Sequence, residues 1–232
     1  MSSLYAHARA FYQLMQQLPG YGALGVMLLG LLVGWWLYVP VHELLHVAGC
    51  LVAGGEVWEL ELAPLYGGHL LARWFDFIVP ESDYAGRLTG FDTGGSDLVY
   101  LSTVLMPFAI TVFPGFWLFV RTLPGNGVKP GHGRMFAVGA LLVVVAAPLM
   151  SLTGDYYETG SILVSRLLAP LVSVDTLAWR HDDLFRLIGE LAGQATLIDW
   201  LGVTASLLVG LVAAVLTMAL GSIIARAMEK TR

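Results

Sequence analysis

Along this chain, long runs without charge alternate with short polar knots. From Tyr21 to Tyr38 no residue is charged; the run passes Trp35 and Trp36 to Pro40, resumes, and stops at Gly54-Gly55. A hydrocarbon core about 30 Å thick takes roughly 20 residues of helix, so the pattern predicts a first span with a kink at Pro40. Val99 to Val120, interrupted by Pro107 and Pro114, predicts a second span, and Met135 to Leu152 a third. Ser161 to Val172 predicts a fourth apolar helix, and Leu201 to Ala225 the last span. Ahead of them, Ser3 to Leu18 sets Tyr5, Phe11, Tyr12 and Leu14 among His7, Arg9 and glutamines and ends at Pro19-Gly20. That is the pattern of a helix lying in the membrane interface.

Between the first two spans the period changes. Trp58, Glu59, Leu60, Glu61 and Leu62 alternate apolar with acidic, which is the period of a half-buried strand. Pro64 to Gly68 supply a turn, and His69 to Phe77 are expected to return as the second strand of a hairpin. Glu81 to Asp97 read as a polar loop, and Asp175 to Asp199 as a mixed, interfacial stretch. The predicted fold is an all-α polytopic membrane protein of about four to five transmembrane helices, with a small β-hairpin after the first span. It forms a single membrane-embedded domain over residues 1–232, with 1–20 as the interfacial helix.

Composition agrees with lipid as the solvent. Hydrophobic residues make up 57% of the chain and charged ones 12%, against roughly 45–50% and about 25% in soluble domains. The expected partner is therefore the lipid bilayer, and the location a multi-pass protein of the cell (inner) membrane. The few, scattered Lys and Arg residues argue against nucleic acid. The lone Cys50 excludes an internal disulfide and a Cys-rich zinc ribbon, so any metal falls to His and carboxylates. Arg121, Lys129 and Arg134 bracket a loop without acid, which the positive-inside rule assigns to the cytoplasm. Eight Asp/Glu against Arg73 and Arg87 between Gly54 and Leu98 assign that segment to the opposite side. Arg226, Lys230 and Arg232 also favour the cytoplasm, which five spans cannot satisfy if the N-terminal helix is cytoplasmic too.

The chemistry lies in His42-Glu43-Leu44-Leu45-His46. Two imidazoles four residues apart share one helix face and suit two ligands of a tetrahedral zinc, one ion per chain. Glu43 follows the first ligand, where a carboxylate can take a proton from water and hand it to a leaving amine. The competing account is a pair of buried histidines bonded to neighbouring helices. Ionisable groups inside an apolar helix are expensive without partners and mark functional sites. A zinc protease needs a third protein ligand, for which Asp155 and Glu158, one turn apart at a helix start, are the candidates. Their spacing equally suits a capping box.

An HExxH on the first long hydrophobic helix, then Gly-Gly and a short hairpin, then later spans with an acidic-Gly motif, resembles the site-2 protease class of intramembrane zinc proteases. The resemblance covers roughly Gly30 to Leu168 in arrangement, and only the HELLH string matches strictly. It implies hydrolysis of a peptide bond in a membrane-protein or membrane-bound peptide substrate. It also implies a third ligand in an Asp-Gly segment opening a later helix. Glu158-Thr159-Gly160-Ser161-Ile162-Leu163 occupies that register and favours Glu158, whereas residue type favours Asp155. A non-proteolytic metal-binding module, such as a transporter or an inactive scaffold, is the other reading. Cys50 reads as core, His69 as a strand-end histidine, Tyr156 and Tyr157 as interfacial aromatics, and His132 and His181 as exposed loop residues. Arg166, inside an apolar helix, calls for an acidic partner.

Overall fold

The computed structural model describes residues 2–18, 20–123, 131–172 and 175–230. Pro19, Lys129 and Arg232, a predicted helix stop and two of the predicted cytoplasmic cations, lie outside them. The uncharged run after Gly20 becomes one helix, α2 (Tyr21–Val52), preceded by α1 (Ser2–Gln16). α2 continues through Pro40 and gives way at Ala53, followed by left-handed Gly54. A small sheet follows, with β1 (Glu56–Leu62), a short helix α3 (Gly68–Leu71), β2 (Ile78–Val79) and β3 (Gly86–Asp92). Then come α4 (Asp97–Leu105), α5 (Phe116–Thr122), α6 (His132–Met150), α7 (Asp155–Leu168), α8 (Leu184–Leu191) and α9 (Leu197–Lys230).

Four helical stretches among the described residues are long and apolar enough to cross a membrane: 21–52, 97–122, 132–168 and 197–230. The chain is thus an all-α polytopic membrane protein. Of the four to five spans expected, four form, because α6 and α7 make one interrupted span. The polar segment after Met150 makes only a turn over Ser151 to Gly154 before the helix restarts at Asp155. Pro107 and Pro114 interrupt the second span, as expected, and Thr111 donates its hydroxyl to Val144 O at 2.7 Å beside the break. Four crossings put Arg121, Arg134, Arg226 and Lys230 at one end of the bundle, which removes the conflict that five spans create. α1 packs at that end, where Ser3 Oγ donates to Ser222 O at 3.0 Å and Leu14 is buried with Met27, Phe119 and Met135.

The helices meet through glycines. A Cβ on Gly30, Gly34 or Gly139 would run into the backbone across the α2–α6 contact, at Phe136, Ala140 and Met27 respectively. Gly160 and Gly210 do the same for α7 and α9 against Ser206 and Tyr156. In lipid, where apolar side chains gain little by meeting one another, such close approach is what holds helices together. α2 and α6 run parallel, pairing Met27 with Gly139 near their starts and Tyr38 with Ala147 farther on, so the end of α6 arrives beside His42.

The sheet differs from the predicted hairpin. β1 is central in the order β2-β1-β3, pairing parallel with β2 (Leu60 with Ile78) and antiparallel with β3 (Leu60 with Leu88, Glu56 with Asp92). Residues 69–77 do not return as a strand. Their apolar residues fall at 70, 71, 74, 75 and 77, three- and four-residue steps that suit a helical turn, and the chain coils through α3 instead. The true return strand lies in the stretch predicted to be a loop, where Gly86 and Gly90 mask the strand pattern. Gly90 is needed because a side chain there would strike the Trp58 indole. Leu60 and Leu62 face Val39 and Val47 of α2, which fixes the sheet against the motif helix.

Gly160→Ala tests the glycine contacts. The added methyl meets the Ser206 carbonyl, and overpacking of this kind costs about 1–3 kcal/mol. A thermal melt in detergent should show a lowered midpoint for this variant and an unchanged one for Gly25→Ala, where nothing lies within 4 Å of an added Cβ.

Candidate metal centre

His42, Glu43 and His46 lie in the last third of α2, where three elements close around them. α4 supplies the backbone of Thr103, which accepts from His46 Nδ1 at 2.9 Å. That bond fixes the tautomer: with its proton on Nδ1, His46 presents a bare lone pair at Nε2. The His42 ring is held by Tyr38 one turn earlier, Nδ1 to OH 3.0 Å, and by the edge of Phe108. Asp155, the first residue of α7, completes the group. Its Oδ2 stands 3.3 Å from His42 Nε2 and its Oδ1 3.4 Å from His46 Nε2, and the two Nε2 atoms are 3.1 Å apart. Ser151 Oγ donates to Asp155 Oδ2 and orients the carboxylate.

These distances are a test of fit. Ligands bonded at about 2.0–2.1 Å to a tetrahedral ion lie about 3.3 Å from one another. The separation of the two Nε2 atoms and the distance from each ring to its nearer carboxylate oxygen are close to that edge, and with one atom per residue the group lies within 4.8 Å. With its proton on Nδ1 towards Tyr38 OH, His42 presents a lone pair at Nε2 as His46 does, and a cation among these atoms would draw on both rings and the carboxylate. Among the described residues, His42, His46 and Asp155 are the group of His, Cys, Asp or Glu that can close on one ion. The donor set of two nitrogens and one oxygen suits zinc and leaves the fourth position open.

Glu158 is not brought to this group. It lies one turn farther along α7, and Tyr100 of α4 donates to its Oε1 at 2.6 Å. Nor do Asp155 and Glu158 form a capping box: the N-cap position is Gly154, with no side-chain cap bond. Glu43 is buried, and its side chain rests against β3 at Gly86, where a Cβ would stand 2.5 Å from Glu43 Cγ and 2.9 Å from Cδ. Glycine at 86 therefore leaves the room that the carboxylate occupies.

The metal group opens into a cavity of about 870 Å³. One wall is β3 from Gly86 to Thr89 with Phe91; β1 occupies only its other edge. The opposite wall is the turn before α7 and the segment 180–186. Arg87 of β3 pairs with Asp182 across the mouth at 2.6 Å, while Arg180 forks onto Asp97 at 2.6 and 3.1 Å. His181, read from the sequence as an exposed loop residue, lines this cavity, because its Nδ1 accepts from the Asp183 amide at 2.9 Å and turns the ring inward. Cys50 is buried against the backbone of Glu56 and Asp92, away from the metal group. His69 and His132 are exposed, and Arg166 finds Asp97 at 3.9 Å. Of the residues that sequence reasoning missed, Tyr38 had a signal, its four-residue step before His42. Thr103 and Tyr100 had none, since they meet the motif only across helices.

The purified protein is expected to carry about one zinc per chain. His42→Ala, His46→Ala and Asp155→Ala should each weaken zinc binding more than tenfold, as loss of one of three protein ligands does, whereas Glu158→Ala should retain the ion. Metal analysis after dialysis against a graded chelator reads all four.

No protein-family model matches the chain, and neither does any curated protein or solved structure, so the chemistry of the site itself carries the functional conclusion.

Proposed function

We propose that this protein is an intramembrane zinc metalloprotease, hydrolysing a peptide bond of a membrane-associated protein substrate in the manner of the site-2 protease class. The observation that carries this reading is the convergence of His42 Nε2, His46 Nε2 and the Asp155 carboxylate within 4.8 Å of one another, with Glu43 beside them at the floor of an open polar cavity. His42, His46 and Asp155 would hold the ion. When bound, zinc supplies Lewis-acid polarisation of the scissile carbonyl and of water.

The remaining roles belong to the chain. Glu43 accepts a proton from the attacking water and returns it to the departing nitrogen, as its place next to a ligand on the same helix allows. Thr103 O and Tyr38 OH keep the two rings aimed, and Ser151 does the same for Asp155. Water reaches the site through the polar mouth formed by Arg87, Arg180, His181 and Asp182. A helical substrate must be extended before its carbonyl is accessible. The outer edge of β3, which pairs with no strand among the described residues, offers backbone groups for an extended segment along the cavity wall.

Glu43→Gln is expected to keep zinc and fold while lowering turnover by about two orders of magnitude or more, since it removes proton transfer and no ligand. Cleavage of a membrane-protein substrate in liposomes, followed by gel, reads it. Undiminished cleavage refutes the mechanism, and no cleavage by the zinc-loaded parent favours a non-proteolytic metal-binding module. By loop charge, labels within residues 124–130 should report the cytoplasm of a cell membrane and labels at 81–83 the opposite side; labelling of intact cells with an impermeant reagent checks this.

A further inference from the structure

A second, smaller recess of about 150 Å³ meets the large cavity at His42 and Glu43. Its walls are Trp35 and Tyr38 of α2, Ala147, Met150 and Ser151 at the end of α6 and the turn after it, and Ala85 just before β3. The polar atoms of those walls are already engaged. Trp35 Nε1 donates to Tyr66 OH at 3.1 Å, Tyr38 OH bonds His42 Nδ1 at 3.0 Å, and Ser151 Oγ donates to Asp155. Carbon therefore faces the void everywhere except at the edge shared with the metal group. An apolar cavity of about 150 Å³ has room for a group the size of benzene.

On the protease reading, the position of the recess decides what enters it. Hydrolysis breaks the peptide C–N bond, adds the hydroxyl of water to the carbonyl carbon and the proton to the nitrogen. Glu43 delivers that proton, so the residue that contributes the nitrogen lies next to Glu43, which borders the recess. We infer that this recess is the specificity pocket of the enzyme and takes a medium-sized apolar side chain, of Leu, Met or Phe, from the residue on the amine side of the cut. Its occupant follows from continuity with the metal group: both cavities share His42, Glu43, Met150 and Ser151. A polar side chain there loses its water and gains no partner, which disfavours it.

The inference rests on the proposed hydrolysis, and the experiment separates the two. Zinc-loaded full-length protein in detergent is given a peptide library, and the cut sites are read by mass spectrometry for the parent, Glu43→Gln, Ala85→Phe and Trp35→Ala. Ala85 is half-buried and borders the recess from the loop side, so a phenyl group there narrows the void, and zinc content reports whether its packing against α2 survives. The parent should cut before Leu, Met or Phe. Ala85→Phe should lower the ratio of kcat/KM for Leu over Ala at that position at least tenfold, and Trp35→Ala should shift preference towards Phe and Trp. Zinc content of both variants reports that the site is intact. Glu43-dependent cleavage whose preference is indifferent to Ala85→Phe and Trp35→Ala overturns the pocket and leaves the protease standing. Retention of a lipid chain in the recess, lost in Ala85→Phe with peptide preference unchanged, overturns it in favour of lipid. Absence of any Glu43-dependent cleavage overturns the protease reading and the pocket together.

Discussion

Backbone-to-backbone contact between α2 and α6 brings the site together. The two helices run parallel, and Gly30, Gly34 and Gly139 let them approach until a single methyl group would collide. Only at that separation does the end of α6 lie close enough for the turn at Ser151 to Gly154 to lead Asp155 onto the face of α2 that carries His42 and His46. A wider spacing would leave two imidazoles and a carboxylate apart in an apolar bundle, each an uncompensated polar group. The interruption between α6 and α7 belongs to the same constraint. Irregular backbone inside a membrane span is tolerated where it lines a polar cavity, and Ser151, Thr153 and Gly154 do line it.

Much of this was legible in the sequence because hydrophobic runs and the HELLH string are local signals. The first and last spans, the proline breaks of the second, and the pairing of His42 with His46 follow from spacing along one helix. What was not legible is long-range. Which of Asp155 and Glu158 lies beside the histidines is a matter of how the helices pack: Asp155 does, while Glu158 accepts from Tyr100, 58 residues away. The return strand at Gly86 to Asp92 was hidden by the two glycines that the sheet requires, because glycine is depleted from strands on average and is recruited here to clear Glu43 and Trp58. The choice between four and five spans rested on the turn at Ser151 to Gly154, too short to reverse the chain, which hydropathy does not distinguish from a loop.

The acidic side chains around the cavity are sorted by partner and not by type. Asp155 takes histidines and a serine, Glu158 a tyrosine, and Asp182 and Asp97 take arginines. Glu43 is set apart by steric confinement against a glycine. That division suits a centre in which one carboxylate holds a metal and another moves protons, since the two tasks need different surroundings.

The charge-free stretch of α2 also fixes a depth. From Tyr21 to Val41 there are about 21 residues, roughly 31 Å of helix at 1.5 Å per residue, which is the thickness of an average hydrocarbon core. With Tyr21 at one face of that core and α2 upright, His42 would stand near the opposite face, where acyl chains give way to headgroups. Membranes differ in thickness by a few ångströms, and a spanning protein answers such mismatch by tilting. Tilt of α2 would raise or lower the metal group relative to a neighbouring helix anchored by its own interfacial residues. On the proposed reading, the thickness of the surrounding bilayer then helps to choose which bond of that neighbour comes within reach, making lipid composition a ruler for where the chain is cut.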